Sequence, residues 1–292
     1  MQFSRLMLGT VQFGLAYGIN NQQGKPTPEQ IEAILRTAAD GGVNVLDTAR
    51  GYGDSEEQIA AALRRSGLQR HFQIITKVAA IPENLSQKEV GAWIECSLTT
   101  SLKALQRDKV EGLLMHSEKD VGYLPMLEKY RKKGMVEFYG ASLDSNRTAA
   151  SEPLPATQIP SNILDRRFVK YAHRAAARSG LIFVRSVYLQ GLLFKQADKM
   201  HTVFQKKLLP VRLQLEALAQ EAGLTPAELY FRFLLSNPDF TSILSGVDTP
   251  AQLQQNLRLV SAGPLPEVLL QKIAPIVPDF PEEMIRPSLW PR

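Results

Sequence analysis

The chain has 292 residues, 44% of them hydrophobic, with a formal charge of +5. That length and composition suit one large globular domain and exclude a disordered chain. No Lys/Arg block is interleaved with aromatics, which argues against nucleic-acid binding, and the single Cys96 excludes an intramolecular disulfide.

The opening MQFSRLMLGT holds too short an apolar run for a signal peptide. No run is long enough to span a membrane, so a soluble cytoplasmic protein is expected. LMLGTVQFG (Leu6 to Gly14) reads as a first strand. Around its glycine-rich exit, Gly14 to Gly18, the side chains of Phe13, Leu15 and Tyr17 either wall a pocket or pack. Thr27-Pro28-Glu29-Gln30 is a capping box with Pro at the first helical position. It opens a helix with an apolar face of Ile31, Ile34, Leu35 and Ala38, ended by Gly41-Gly42. In VNVLDTARGYGDSEE (Val43 to Glu57) a strand carrying Val45 and Leu46 gives way to a polar loop with Asp47, Gly51, Tyr52 and Gly53. The helix Ser55 to Leu63 follows, capped by Asp54 or Ser55, with Glu56 and Glu57 in its first turn.

QIITKV (Gln73 to Val78) is a strand ending in Lys77. The long helix Ser86 to Leu105 has a stripe of Val90, Trp93, Ile94, Leu98, Leu102 and Leu105, which puts Trp93 in the core. Cys96 in the same helix reads as a buried, inert thiol. VEGLLMHS (Val110 to Ser117) is a strand that carries His116 at its end, and Val121 to Arg131 a helix stopped by Lys132-Lys133-Gly134. VEFYGAS (Val136 to Ser142) is the fifth strand. Thr157 to Pro160 is the sixth, with Gln158 inside it and Asn162 just beyond. After the helix Asp165 to Ser179 comes LIFVRS (Leu181 to Ser186), the seventh strand. Residues 191–206 form a long loop, a length usually tied to function. Lys207 to Ala222 and Pro226 to Leu235 are helices, the second with the capping box Thr225 to Glu228. TSILSG (Thr241 to Gly246) is the eighth strand, and Thr249-Pro250-Ala251-Gln252 is a third capping box opening a helix to Val260. The Pro-rich segment Pro264 to Arg292 either folds over one end of the domain or packs on its outside.

Eight strands alternating with helices predict an α/β chain, a (β/α)₈ barrel in a single domain over residues 1–292. In such a barrel active sites form where the strands end. Asp47, Tyr52, Lys77 and His116 stand at or just past the ends of three successive strands. A Lys following Ile74-Ile75 on a buried strand is costly unless paired. The four histidines, His71, His116, His173 and His201, are too scattered for a metal site, and no metal is expected.

The motifs LGTVQFG, LDTARGYGDSE, ITKV, LLMHS, GAS, QIPSN, RSVYLQGLL and ILSGVDTPAQLQQNL run in order from Leu8 to Leu257. In this the chain resembles the aldo-keto reductases. The resemblance implies reversible reduction of an aldehyde or ketone. A Tyr hydroxyl is a poor acid at neutrality, and a nearby ammonium lowers its pKa. Tyr52 would then be the acid, Lys77 its tuner, Asp47 the group that keeps Lys77 charged, and His116 the donor orienting the carbonyl.

No GxGxxG follows a strand, which disfavours a Rossmann site; the resemblance implies instead an extended nicotinamide cofactor, NADPH with NADH as the alternative. Ser142 and Gln158 match carboxamide-holding positions, and Leu143 stands where many relatives have Asn. Asn162 fits a QxxxN pattern. Arg185 replaces an aromatic under the nicotinamide, and either stacks there or meets an anion. Ser186, Leu189, Gln190 and Gly191 match the pyrophosphate stretch. Ser245, Gly246, Val247 and Thr249 lead into a helix N-terminus suited to an anion, and Gln252, Gln255 and Asn256 match adenosine-side positions. Gly246 and Gln252 stand where NADPH-specific relatives often carry Lys and Arg, so the 2′-phosphate lacks its obvious partner. Lys195, Lys199, Lys206 and Lys207 either compensate or form a solvated face. Many relatives have a longer hairpin closing the barrel bottom, which is short or absent here. VQFGLAYGINN and QIPSNILDRR are similar to bacterial relatives linked to sugar and surface polysaccharides, pointing to a small, sugar-like carbonyl substrate; a monomer is the default the family resemblance implies. A non-catalytic cofactor-sensing barrel, as potassium-channel β subunits resemble, is the other reading. A Schiff-base role for Lys77 is a third.

Overall fold

The computed structural model describes residues 2–17 and 24–290; Gly18, at the end of the first exit loop, lies outside them. Its strands are β1 Leu6–Gly9, β2 Val45–Asp47, β3 Gln73–Lys77, β4 Val110–Met115, β5 Val136–Ser142, β6 Ala156–Pro160, β7 Leu181–Arg185 and β8 Ser242–Gly246. Every neighbouring pair is parallel, and β1 pairs with both β2 and β8, closing the barrel in chain order. The strands are almost continuously buried, as parallel strands covered by helices must be. Inside, Met7, Val45, Ile75, Leu114, Ala156 and Phe183 fill the barrel. Phe3 packs edge-on against Phe138 and Phe183, with centroids 6.0 and 5.5 Å away, so the few residues before β1 supply an aromatic stopper. Outside, Leu8, Leu46, Ile74 and Leu113 meet Ile31, Ile59, Ile94 and Phe231 of the surrounding helices.

Capping boxes open the helices Pro28–Asp40 and Pro226–Leu235, with Thr27 and Thr225 as caps. The box expected at Thr249 is only half made. Its hydroxyl accepts from Gln252 N, but the Gln252 side chain bonds Asp248 N at 2.7 Å, one residue too early. Neither Asp54 nor Ser55 caps its helix through the side chain. Asp54 pairs with Lys25, and the Ser55 hydroxyl donates to the carbonyl of Thr10.

Several boundaries differ from the sequence pattern for local reasons. The first strand stops at Gly9 because Thr10 bonds back to Asp47, through both its N–H and its hydroxyl, and Val11–Gly14 turns helically. Phe13 is therefore core, whereas Tyr17 reaches the cleft. The segment from Glu118 to Leu127 is a run of 3₁₀ turns containing Pro125, and only Glu128–Lys132 is α-helical. Asp165 holds the Arg167 guanidinium instead of starting a helix, which begins at Val169. The stretch 191–206 is a packed connection: it contains the start of the helix Thr202–Lys207 and buries Leu192, Leu193, Met200 and Phe204. That helix and Leu209–Glu221 replace the single helix expected from Lys207. Trp93 is 37% exposed, its indole donating to the Ala79 carbonyl, and Cys96 is exposed too. The rest of the expected stripe, Val90, Ile94, Leu98, Leu102 and Leu105, is buried, joined by Ser97 and Ser101.

The C-terminal segment meets the loops after β4 and β5. Arg286 bonds Asp144 and Glu118, and Glu282 accepts from Arg167 and from Asn146 N. None of its residues lines the cleft described next. Among the described residues, no helix is long and apolar enough to cross a membrane.

Candidate active site

The strand ends surround a cleft of about 1150 Å³. Asp47 ends β2, Lys77 ends β3 and His116 directly follows β4, while Tyr52 sits on the β2 exit loop. The Lys77 Nζ donates to Asp47 Oδ1 at 2.6 Å and to the Thr48 carbonyl at 2.9 Å, and both ionic side chains are buried. Nζ lies 5.0 Å from the centroid of the Tyr52 ring. Tyr52 and His116 pack edge-to-face, 5.6 Å between centroids. The four side chains that the sequence singled out are thus one contiguous cluster, with Asp47, Tyr52 and His116 lining the cleft and Lys77 buried against them.

Two loops are pressed together to hold Tyr52. A Cβ on Gly14 would fall 1.7 Å from the Tyr52 carbonyl, and Gly53, at φ +59°, faces Gly14 in turn. Arg50 then clamps the loop: its guanidinium donates to Glu56 at 2.6 Å and to the Gly53 carbonyl at 3.0 Å. Glu56 also accepts from the Thr76 hydroxyl on β3. Because Glu56 is only 1% exposed, Glu56→Ala leaves Arg50 without its buried partner. We expect a loss of about 3 kcal/mol, read from the urea midpoint.

The electrostatics of the cluster follow from burial. Desolvation opposes the Lys77 ammonium, but Asp47 and Tyr52 outweigh it and its pKa is raised. For Tyr52 the balance differs from the sequence expectation: burial raises its pKa more than Lys77 lowers it, so the phenol stays protonated at neutrality. His116 is lowered to about 4 by burial, then by Lys77 and Arg185, and is neutral at pH 7. Since its folded pKa lies below its unfolded one, His116 favours the native state above pH ~6.5. That contribution drains away as pH falls toward 4. Denaturant unfolding across this window should show the loss, and His116→Gln should flatten it.

The remaining expected residues divide clearly. Ser142, Gln158, Arg185, Ser186, Gln190, Gly191, Ser245, Gly246, Val247, Gln252, Gln255 and Asn256 all line the cleft. Leu189 does not, being buried among Leu192 and Leu193, and Thr249 is the helix cap. Gln158 donates to Asp47 Oδ1 at 2.7 Å, joining the tetrad to the β6 side. Arg185 is held by Asp144 at 2.9 Å and by the Leu143 carbonyl. Asn162 braces the rim, donating to the Ser186 carbonyl and accepting from Leu164 and Asp165 N–H groups. Ser186, Leu189 and Gln190 have left-handed φ values of 65°, 48° and 51°, strain of the kind found at ligand sites. Lys195, Lys199, Lys206 and Lys207 are not on the cleft wall.

Sequence reasoning missed Gln12, Tyr188, Phe194 and Asp248, all on that wall. Gln12 is the clearest: it is 9% exposed and its Oε1 has no protein partner. A single amide in the mostly apolar LMLGTVQFG was its signal. Among the described residues no group of three His, Cys, Asp or Glu is placed to hold a metal ion.

The family model described as "Aldo/keto reductase family" matches residues 5–277. A probable voltage-gated potassium channel subunit beta of Arabidopsis thaliana is 26% identical, with 96% of each chain covered. The aldo-keto reductase YhdN of Bacillus subtilis is 27% identical over 87% of this chain and 84% of its own. Among solved structures, the holo form of aldo-keto reductase AKR11C1 from Bacillus halodurans superposes with a TM-score of 0.76 at 20% identity, covering 97% and 95% of the two chains. With its closed eight-stranded barrel and a family match over nearly its whole length, the chain belongs to the aldo/keto reductase family of oxidoreductases.

Proposed function

We propose that the chain reduces an aldehyde or ketone to the alcohol, reversibly, with a reduced nicotinamide cofactor. The observation that carries this is the buried Asp47–Lys77 pair beneath Tyr52 at the floor of an open cleft. The cofactor fits the wall chemically: Ser142 and Gln158 line the cleft, a left-handed turn follows β7, and Gln12 presents an unpartnered buried oxygen. When bound, it supplies the hydride.

The protein's own residues do the rest. Tyr52 passes its hydroxyl proton to the carbonyl oxygen as that oxygen gains charge. Lys77 stabilises the phenolate left behind, and Asp47 keeps Lys77 an ammonium although it is desolvated. Neutral His116 donates a hydrogen bond to the same oxygen and aims it at Tyr52. NADPH is the cofactor the family resemblance favours, a small sugar-like carbonyl the substrate class, and a cytoplasmic monomer the form. Loss of nicotinamide absorbance with a reactive aromatic aldehyde, followed with NADPH and NADH, tests the reaction. Turnover supports it. Cofactor binding without turnover of any carbonyl favours a sensing barrel, a reading suggested by the similarity to channel β subunits.

A further inference from the structure

The C-terminal segment lends no described residue to the cleft wall, yet through one carboxylate it reaches a cation that stands there. Among the described lining residues Arg185 is the single Lys or Arg. Its Nη2 donates to Asp144 Oδ1 at 2.9 Å and to the Leu143 carbonyl at 3.1 Å, and its Nη1 to the Ser186 hydroxyl at 3.3 Å. The other carboxylate oxygen of Asp144 accepts from Arg286 Nε at 2.5 Å, 142 positions further along the chain. Resting on the reading of this cleft as a nicotinamide-cofactor site, we propose that Arg286 is a positioning residue for Arg185. Acting through Asp144, it fixes the Arg185 guanidinium on the cleft wall, so the C-terminal segment sets how tightly the cleft holds an anionic dinucleotide.

Arg286 is itself held at three points. Besides Asp144, its Nη1 donates to Glu282 at 3.1 Å and its Nη2 pairs with Glu118 at 3.5 Å. Glu118 in turn accepts from the N–H groups of Asp144 and Ser145, so the same two residues grip the loop after β5 by its backbone and by its carboxylate. Arg185, Asp144 and Arg286 are all partly buried, where salt screens an ion pair less than at the open surface. Burial pushes the Asp144 carboxyl up, but Arg185 and Arg286 outweigh it and hold it below the usual carboxylate range. An arginine side chain has many rotamers to lose, and the other partners of Arg185 are neutral oxygens. With Arg286 gone, both oxygens of Asp144 become open to Arg185. A carboxylate takes a guanidinium as a two-bond fork, which draws Arg185 toward Asp144 and off the wall. The anionic pyrophosphate of a dinucleotide then meets a cleft whose described cation is turned away.

Calorimetric titration of the full-length protein with NADH and NADPH, run as a double-mutant cycle, tests this. Arg286→Gln should weaken binding of the preferred cofactor roughly five-fold or more. In an Arg185→Ala background the same substitution should change affinity little. Arg286→Lys, which keeps a cation beside Asp144, should restore most of the wild-type value. Asp144→Asn cuts the link from the β5 side and should match Arg286→Gln, which covers the case of a C-terminal segment loosened by the latter. Unaltered affinity in Arg286→Gln overturns the proposal. So does an equal loss with and without Arg185, which marks a purely structural role. NMR titration of His116 in the ligand-free protein gives a second readout. Burial, Lys77 and Arg185 together hold His116 at about 4, so Arg286→Gln should raise it, but not in the Arg185→Ala background. A His116 value that Arg286→Gln leaves untouched overturns the positioning role. If neither cofactor binds the wild type, the nicotinamide reading falls, and the His116 titration alone decides whether Arg286 positions Arg185.

Discussion

Tyr52→Phe is expected to lower turnover by about 10²–10⁴-fold while cofactor affinity stays near that of the wild type. The substitution keeps the aromatic face toward Lys77 and the edge-to-face contact with His116, so the packing of the floor is preserved. Only the hydroxyl is lost, and with it the proton donor. Because burial outweighs Lys77 in setting the phenol's pKa, the protonated form dominates at neutral pH, which suits carbonyl reduction. Alcohol oxidation needs the phenolate, so its rate should climb with pH in the wild type. Steady-state rates in both directions, beside a cofactor titration, separate loss of chemistry from loss of binding. A Tyr52→Phe variant that keeps most of its turnover would remove Tyr52 from the mechanism.

Asp47→Ala is expected to be the costliest single change in the site, by about 3–5 kcal/mol. Asp47 is 3% exposed and Lys77 1%, so the variant strands a buried ammonium with the Thr48 carbonyl and the Tyr52 hydroxyl but no carboxylate. It also frees the Gln158 amide. The charge, rather than the volume, carries the penalty. Asp47→Ala combined with Lys77→Met should therefore recover much of the lost stability, and none of the activity. The pH dependence gives an independent check. Lys77 is raised in the folded protein, so its contribution is complete below its unfolded pKa of ~10.4 and is lost as pH rises through the folded value. Urea unfolding at neutral and strongly alkaline pH should show that limb in the wild type and not in the double variant. Equal stability of Asp47→Ala and wild type at pH 7 would mean that Lys77 discharges without cost.

The floor of the cleft was legible because polar residues interrupt apolar strands there. Asp47, Lys77 and His116 each follow hydrophobic runs, which placed the ends of β2, β3 and β4 to within two residues, whereas the first strand, expected to Gly14, stops at Gly9. The capping boxes at Thr27 and Thr225 were equally clear, since their chemistry lies within four residues. Contacts between distant segments were not. Nothing near Arg185 in the chain announces Asp144, and nothing near Asp144 announces Arg286, yet the three form one ion network. Trp93 and Cys96 were misplaced for a subtler reason. The expected stripe of Val90, Ile94, Leu98, Leu102 and Leu105 is buried, but its other flank is Ser97 and Ser101, which hydrophobicity does not mark, and Trp93 falls on the exposed side. The Tyr52 balance depends on how much solvent the fold removes, which no spacing encodes.

The closure of the barrel between β1 and β8 has a consequence for biosynthesis. Gln12 and Gly246 meet across that seam although 234 positions of chain separate them. Asp47, Lys77 and His116 all come from the first half of the chain, so they leave the ribosome before the segment that builds the far wall. The far wall of the same cleft exists only after the last strand has arrived and its pairing edge has been covered. The residues of the floor and those of the far wall thus reach the fold at different times, and the pairing that seals the barrel also completes the cleft.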